Sequence, residues 1–500
     1  VLLGGNYVWK AAPYLPPLEI IERNAEEIAK ELAEAAYEPK PGADGEPRSK
    51  VPCVRLGAMF EAMMPDAAGQ IDTTWLERLS QAIDAFGRHG VYVFLDAHTD
   101  GWSTTNGGNG FPWWMGAEMQ RTAGAETSYI TSPEHPLELA IPDKLAEMLR
   151  KVGANIPMIN KVANDTDPWR DFSVNSGTGN PRYMNLGNLN MRLNNNDGAW
   201  ANATLMLTKQ VQNSYLRFLN SYSNGEDRER FFMPYIEFIR QLFLLWESHP
   251  NVVAVELLNE PPPSGLPCLK SARKSRTAVW MFYAHVLDEL DKLGVHPDAP
   301  VALQDVSGSL PEANHLFDTL FREPDAMCGK WETAMLHKWA SKGKLVLSFH
   351  FYPGFATQVE LPEMIKLAHK EAAKFGQVPV FLSEFWFSTP EEMAAAMAQA
   401  ADLDVDAVTY WHYVDQIYTG NPGWYKYPQE IVDLGEPIGP NGEVNKASWE
   451  LFHQTVLDGT FIGGDIDGAE GGQSGVLNLI PATAAASEQP KQKHHPNIVR

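Results

Sequence analysis

Short apolar segments alternate with amphipathic segments along most of the chain. The apolar segments are rich in β-branched residues and bounded by turn residues, which is typical of the buried strands of a parallel sheet. Eight such strands are predicted: Leu2 to Val8, Val51 to Leu56, Val91 to Leu95, Val252 to Leu258, Pro300 to Gln304, Leu345 to Phe349, Val378 to Leu382 and Ala407 to Tyr410. Between them, apolar residues at three- and four-residue spacing predict helices, over Leu18 to Tyr37, Thr74 to Arg88, Arg228 to Glu247, Ser275 to Leu293, Glu332 to Trp339, Pro362 to Phe375, Pro390 to Ala401 and Ala447 to Val456.

Eight strands, each followed by a helix, predict an α/β fold of the (β/α)8 TIM-barrel type. The alternative is a doubly wound open sheet, which usually carries a glycine-rich phosphate loop after its first strand. No Gly-x-Gly-x-x-Gly sequence follows Val8. We therefore expect one catalytic barrel domain over residues 1–458.

Two regions depart from the strand–helix alternation. Residues 99–225, after the third strand, are rich in Asn, Gly, Trp and Pro and carry only short helical pieces, such as Pro142 to Val152. Loops that leave the carboxyl ends of barrel strands form the active face, so this insertion is expected to overhang the substrate site. Residues 459–500 are first Gly-rich and then rich in Ala and Lys, and they are predicted to form a flexible tail.

The composition of the chain limits the kinds of molecule that the protein is expected to bind. The chain has 44% hydrophobic and 21% charged residues, and its net charge of −23 repels nucleic-acid phosphates. No apolar run approaches the roughly 18 residues of a membrane span. The first residues lack the pattern of a signal peptide, so any leader is expected to be missing already. Possible N-glycosylation sites at Asn164 and Asn202 favour a secreted, secretory or lysosome-like location. The three cysteines allow at most one disulfide and match no Cys-x-x-Cys metal spacing.

Two glutamates stand at the ends of predicted strands. Glu260 lies in Asn259-Glu260-Pro261 after the fourth strand, and Glu384 follows Ser383 after the seventh. Because the carboxyl ends of barrel strands surround one cavity, these carboxylates are expected to face each other. Paired carboxylates across a cleft are what glycosidic bond cleavage requires: one donates a proton to the leaving oxygen, and the other attacks the anomeric carbon. A separation of about 5 Å would mark a retaining enzyme.

The set of strand-end residues resembles glycoside hydrolase family 5, over roughly residues 2 to 457. In that family the acid/base lies in Asn-Glu-Pro on strand four and the nucleophile ends strand seven, which implies Glu260 and Glu384 in these roles. The rest of the family's active-site set has a counterpart at each expected strand: Arg55, His98, Asn259, His350, Tyr352 and Trp411. Single residues of this set could also have purely structural roles. Arg55 could be a buried ion-pair partner, and Trp411 could be part of the hydrophobic core.

The resemblance implies retaining hydrolysis by double displacement. Glu260 would hold its proton, and Glu384 would stay ionised beside Arg55 and Tyr352. Asn259 would bond a sugar hydroxyl next to the anomeric carbon, and Trp411 would offer an apolar face to the sugar. No cofactor is expected. Asp96, His98 and Asp100 form a cluster of possible metal ligands, but their spacing matches neither His-x-His nor His-Glu-x-x-His, so no metal site is predicted. Asp96 is instead expected at the barrel rim, bonded to a neighbouring strand residue or to a His.

The loop after strand three is similar to that of endoglycoceramidases and related glucosylceramidases of the same family. The run Asp96-Ala97-His98-Thr99-Asp100, followed by Gly107 to Trp114, carries this likeness. It implies a β-glucoside of ceramide as substrate, with Phe111, Trp113, Trp114 and Met115 suggested as residues that line a groove for the lipid. The same aromatic residues could equally stack on sugars or form the core of the loop. Further candidates for substrate binding share an acidic or indole side chain near these strand ends: Asp100, Trp113, Trp114 and Trp386.

Three other readings of the same residues stay open. The first is an endo-β-glucanase or β-mannanase whose open cleft is lined by some of the 15 tryptophans. The second is a carbohydrate-binding barrel without catalysis, and the third is a metal-dependent hydrolase. Oligomeric state is not predicted by any of these features.

Overall fold

The computed structural model describes residues 1–9, 14–16, 18–34, 39–41, 45, 48–99, 102–103, 109–122, 209–261, 270–294, 299–305, 329–352, 359–385, 387 and 390–411. Most of the predicted insertion, both sequons, Cys268, Cys328, the predicted helices from Pro142 and Ala447, and the tail lie outside these ranges. The place of the insertion over the cavity therefore stays a prediction.

Eight parallel strands close into a barrel in chain order, with β8 paired to β1. The strands are β1 Leu2–Tyr7, β2 Val51–Ala58, β3 Tyr92–Ala97, β4 Val252–Glu256, β5 Val301–Gln304, β6 Leu345–Phe351, β7 Val380–Phe385 and β8 Ala407–Tyr410. Every predicted strand is present, and the predicted TIM barrel is confirmed. The apolar segments determine this outcome because a strand covered on both faces needs apolar side chains on both.

Helices follow the strands as predicted, with differences at their ends. The main helices are Leu18–Glu34, Phe60–Met63, Thr73–Arg88, Trp113–Thr122, Lys209–Leu219, Met233–Ser248, Lys270–Lys292, Lys330–Ser341, Leu361–Lys374 and Pro390–Asp402. The α-helix predicted from Arg228 begins at Met233, because a π-helical turn, Arg228–Phe232, precedes it. In the described part of the chain, no helix has the length and hydrophobicity needed to cross a membrane.

Helix Thr73–Arg88 shows how sequence produces these elements. The side chain of Asp72 accepts a hydrogen bond from the Trp75 amide at 3.0 Å, which satisfies one of the free donors at the helix start. Trp75, Leu79 and Phe86 recur at helical spacing and are buried against the barrel. The cap and the apolar stripe together fix where this helix begins and which side faces the core.

The barrel interior changes from apolar to polar between two successive layers. The lower layer is a small apolar cluster, in which Phe94 stacks on Phe381 at 4.2 Å: Cys53, Phe94, Ala254, Phe381 and Ala407. The next inward positions lie two residues further along each strand. They hold polar side chains that are all fully buried: Arg55, Asp96, Glu256, Ser383 and Thr409. Buried polar groups need internal partners, so this layer must be hydrogen-bonded within the barrel.

Candidate active site

Glu260 and Glu384 lie together at the carboxyl end of the barrel. Glu384 is near the end of β7, and Glu260 lies four residues after the last residue of β4. One carboxylate oxygen of each lies within 4.8 Å of the other. Carboxyl groups about 5–5.5 Å apart are typical of retaining glycosidases, and inverting enzymes have about 6.5–9.5 Å. The distance between these two oxygens lies below the range of inverting enzymes.

The carboxylate of Glu384 accepts two short hydrogen bonds. Arg55 donates from Nη1 to Oε1, and Tyr352 donates its hydroxyl to Oε2, each at 2.7 Å. Glu384 is 4% exposed, so these donors replace most of its hydration. A carboxylate held by a cation and a phenol is stabilised in its ionised form, and this is the form that can attack carbon.

Arg55 joins Glu384 to the polar layer of the barrel. Its Nε donates to Glu256 at 2.6 Å, Nη1 to Asn6 at 2.9 Å and Nη2 to Asn259 at 2.7 Å, and Nη2 is 3.0 Å from Asp96. Burial disfavours the charged guanidinium, but its three carboxylate neighbours outweigh that cost and raise the pKa of Arg55. The guanidinium therefore stays charged and holds the surrounding side chains of the site in place by hydrogen bonds.

Glu260 is held in an unusual backbone conformation. Its φ is 40°, a region that residues other than glycine seldom adopt and that clusters at functional sites. Its amide donates to the side-chain oxygen of Gln304, at the end of β5, at 2.8 Å. Its carboxylate oxygen is 2.7 Å from His350 Nδ1. Backbone and carboxylate are thus each fixed by a neighbouring strand.

His350 lies between the two glutamates. A register shift on β6 between Phe349 and His350 places it opposite Glu384, and its Nδ1 is 3.4 Å from that carboxylate. Burial lowers the pKa of His350 to about 4, against the opposing charge of Glu384. The imidazole is therefore neutral at pH 7, and we assign its proton to Nδ1 because that nitrogen faces carboxyl oxygens of both glutamates.

The amide of Asn259 is oriented by two contacts. Its Oδ1 accepts from Arg55, so its Nδ2 is the donor that bonds the Thr99 carbonyl at 2.9 Å. An amide nitrogen carries two hydrogens, and the second one remains for a hydroxyl group.

His98 and Trp411 form the side of the site next to β3 and β8. His98 Nδ1 is 2.7 Å from Asp96, and its ring lies nearly parallel to that of Trp411, with centroids 5.9 Å apart. Asp96 is bonded to a His as predicted, but its expected place at the rim is wrong. It is fully buried in the polar layer, because Arg55 and His98 together satisfy its charge.

The cluster that was considered and discounted as a metal site differs from the set of ligand-type atoms that the structure brings together. Asp100 lies outside the described residues, and Asp96 and His98 are bonded to each other. The described residues that bring three ligand-type atoms within 4.8 Å are Glu260, His350 and Glu384. His350 Nδ1 is hydrogen-bonded to Glu260 at 2.7 Å and lies 3.4 Å from Glu384, so the imidazole stands between the two acids.

The remaining candidates are only partly described. Trp386 and the side chain of Trp113 lie outside the described residues. Trp114 is half-buried and donates its indole N–H to the Met64 carbonyl at 2.9 Å. Phe111 and Met115, suggested as groove-lining residues, are instead buried in the core, because Phe111 stacks on the fully buried Trp102.

Sequence reasoning missed three polar residues of the site: Asn6, Glu256 and Gln304. Asn6 donates to the Ser383 carbonyl at 2.8 Å and accepts from Arg55. Each of these residues lies inside an apolar segment and not after it. A polar residue at an inward position of a strand buried on both faces is costly unless it is paired, and this was the available signal.

Comparisons with known proteins concern the family to which the chain is similar. Residues 48–132 match the family model for cellulase, glycosyl hydrolase family 5. Endoglycoceramidase I of Rhodococcus hoagii (strain 103S) is 40% identical over 114 residues, which cover 23% of this chain and 20% of the relative. A glucosylceramidase of Aspergillus fumigatus is 34% identical over 61 residues, 12% of this chain and 8% of the relative. The chain thus matches a fifth or less of the length of these relatives.

A solved structure, the crystal structure of an endogalactoceramidase, covers 84% of this chain and 74% of its own length, with 15% identity and a TM-score of 0.49. The family model and the curated relatives confirm the resemblance to glycoside hydrolase family 5. Within that family, the likeness is to the endoglycoceramidases and glucosylceramidases.

Proposed function

We propose that the chain is a retaining β-glycoside hydrolase that acts by double displacement. Glu384 attacks the anomeric carbon, and Glu260 protonates the leaving oxygen and then activates water. The observation that carries this proposal is the spacing within 4.8 Å of two carboxylates with unlike partners, a cation and a phenol for Glu384 and a neutral imidazole for Glu260. Unlike surroundings are how one site separates a nucleophile from an acid.

Asn259 and His98 bind the sugar in this proposal. The second amide hydrogen of Asn259 bonds the hydroxyl next to the anomeric carbon, a contact that strengthens as the oxocarbenium-like transition state forms. The stacked pair of His98 and Trp411 presents a flat apolar and polar surface to the ring. No metal is assigned a step.

The substrate class proposed is a β-glycoside of a lipid, such as a glycosphingolipid. The support is the names of the curated relatives, endoglycoceramidase I and glucosylceramidase, whose similarity is local. A second candidate is an endo-β-glucanase, which the match of residues 48–132 to the cellulase model favours. A secretory or lysosome-like location follows from neither and stays a prediction from the sequons.

The test is turnover of aryl β-glycosides, a fluorogenic ceramide glycoside and a soluble β-glucan by the wild type and two variants, Glu260→Gln and Glu384→Gln. NMR follows the anomer first released. We expect β-product from the wild type and a loss of about 10⁴-fold or more with Glu384→Gln, because no nucleophile remains. Glu260→Gln is expected to keep the first step on substrates whose leaving group needs no proton, seen as a burst of released aglycone, and to lose the second step, in which Glu260 activates water.

Glu371→Gln is the matched control. Glu371 is also a buried glutamate beside an arginine, but it pairs with Arg276 and Lys374, outside this site. It is expected to keep wild-type turnover. Inverted product, or unchanged turnover in Glu384→Gln, would contradict the mechanism. Glucan hydrolysis without ceramide glycoside hydrolysis would select the second candidate.

A further inference from the structure

A buried carboxylate without a role in the proposed reaction lies directly beneath it. Glu256 ends β4 and is fully buried. Its Oε2 accepts from Arg55 Nε at 2.6 Å, and its Oε1 accepts from the Ser348 hydroxyl at 2.6 Å. Both oxygens are thus engaged inside the barrel, so Glu256 does not contact a substrate in this arrangement.

Glu256 controls the plane of the Arg55 guanidinium. The guanidinium is rigid and planar, so the direction of Nε–H also fixes the directions of the Nη hydrogens. Those hydrogens reach Glu384 and Asn259, each at 2.7 Å. A change in the Nε contact therefore moves both groups that meet the reacting sugar in the proposed function.

Two serines hold Glu256 in its turn. Ser348 on β6 donates to Glu256 and is 2.6 Å from the hydroxyl of Ser383 on β7, which is 3.3 Å from the Phe349 carbonyl. Both serines are buried. Each serine hydroxyl can donate its hydrogen toward Glu256 or toward the carbonyl. Ser348 can therefore donate to a carboxylate at position 256, or accept a hydrogen bond from a protonated acid or an amide there.

We propose that Glu256, braced by Ser348 and Ser383, is a positioning residue that aims Arg55 at Glu384 and Asn259. This inference rests on the proposed function for its kinetic consequence. Its structural content, that Glu256 holds Arg55, is independent of activity. The role is one of hydrogen bonding, because the isosteric amide offers the same oxygen to Nε and an N–H to Ser348.

The test compares two variants of the full chain, Glu256→Gln and Glu256→Met, with Glu371→Gln as the matched control. Glu256→Met keeps the volume of the side chain and removes the acceptor. It is expected to lower kcat on an aryl β-glycoside by about 10²-fold with a much smaller change in KM, because misplacement of reacting groups acts mainly on the transition state. Glu256→Gln is expected to stay within about tenfold of the wild type, and Glu371→Gln to equal it.

A second readout needs no turnover. In ¹⁵N-labelled protein, the Arg55 Nε–H resonance, assigned by its loss in Arg55→Lys, is expected to be protected from solvent exchange in the wild type and in Glu256→Gln. It is expected to lose protection in Glu256→Met. A wild type that hydrolyses no β-glycoside would refute the proposed function, and this resonance would then still decide whether Glu256 holds Arg55.

Three results would overturn the inference. They are a wild-type kcat in folded Glu256→Met, a Glu256→Gln variant as impaired as Glu256→Met, and an Arg55 Nε–H that stays protected in Glu256→Met. If Glu256→Met does not fold, Ser348→Ala tests the same link, since it removes the donor to Oε1 and leaves the carboxylate in place. It is expected to lower kcat by about tenfold at unchanged KM, and a wild-type kcat there would refute the bracing.

Discussion

Replacement of Arg55 perturbs the most highly connected side chain of the site. Arg55 makes four hydrogen bonds of 2.6–2.9 Å from three nitrogens. Lysine keeps the charge but carries only three donors, so at least one of the four bonds is lost, and we expect the loss of two because one nitrogen replaces the three that reach the acceptors. At about 1.5–3 kcal/mol for each hydrogen bond to a charged group, Arg55→Lys should lose about 3–6 kcal/mol of unfolding free energy.

Arg55→Met removes the charge as well. It leaves Asp96, Glu256 and Glu384 without the cation that they share. Removing one partner of a single buried ion pair costs about 3–5 kcal/mol, and here one cation serves three acids. The loss therefore approaches the total stability of about 5–15 kcal/mol that is usual for a domain. The expected order of melting temperature is wild type, then Arg55→Lys, then Arg55→Met.

The loss in Arg55→Met should depend on pH. Burial raises the pKa of Glu256 to about 7 even though Arg55 opposes the shift, so without Arg55 it rises further. A folded-state pKa above the unfolded value of about 4.3 means that the contribution of Glu256 is fully present below pH about 4 and is lost as pH rises through the folded pKa. Asp96, next to it on β3, repels in the same direction. The melting-temperature deficit should thus be smaller near pH 5 than near pH 8.

Differential scanning calorimetry between pH 5 and pH 8, with kcat on an aryl β-glycoside, measures both effects. Arg276→Lys is the control, since Arg276 is also buried and pairs with Asp305 at 2.9 Å. It should lose stability without losing kcat per folded molecule. A melting temperature of Arg55→Met equal to that of the wild type at pH 8, or a deficit independent of pH, would refute the account of the polar layer.

Three further predictions address single contacts. Gln304→Leu removes the acceptor of the Glu260 amide and should lower kcat with little change in melting temperature, whereas Gln304→Glu keeps an acceptor and should be milder. By ¹⁵N NMR, His350 should stay neutral with its proton on Nδ1 from pH 8 down to about pH 5, and a titration midpoint near 6.5 would contradict this. Gly110→Ala should lower the free energy of unfolding in urea by about 1–3 kcal/mol or more, because Gly110 has a φ of 103° and an added Cβ would lie 2.5 Å from the His98 carbonyl oxygen. Gly225→Ala is the control and should be neutral, because a Cβ there meets nothing within 4 Å.

The barrel was predictable because its strands are short apolar segments between amphipathic helices, and that pattern is local. The two glutamates were predictable for a related reason. Each follows an apolar segment, and in a parallel barrel all strand ends meet at one cavity, so Glu260 and Glu384 needed no knowledge of register. The bounds of strands were less predictable. β6 and β7 extend to Phe351 and Phe385, because His350 and Glu384 still pair in the sheet.

Glu256 and Asn6 were not predictable as site residues in the same way. Each sits within an apolar segment, and its partners come from other strands far away in sequence. Asn6 is level with Arg55, and Asp96 is level with Glu256, only because of the particular register of neighbouring strands. A hydrophobic pattern does not encode register in a strand covered on both faces, since both faces are apolar. For this reason Asp96 was expected at the rim and was found in the interior.

The excess of buried acids around Arg55 has a consequence for the proposed reaction. When Glu384 forms the glycosyl–enzyme bond it loses its negative charge, and Glu260 becomes charged as it gives up its proton. Charge therefore moves from the side of Arg55 to the side of His350. Asp96 keeps the guanidinium paired at that stage, and Glu256 still accepts its Nε–H, because neither residue takes part in the chemistry. Neutral His350 donates to the new carboxylate of Glu260 without requiring a proton from solvent. The polar layer thus lets the charge of the nucleophile disappear without leaving a buried cation unpaired, which would otherwise oppose formation of the intermediate.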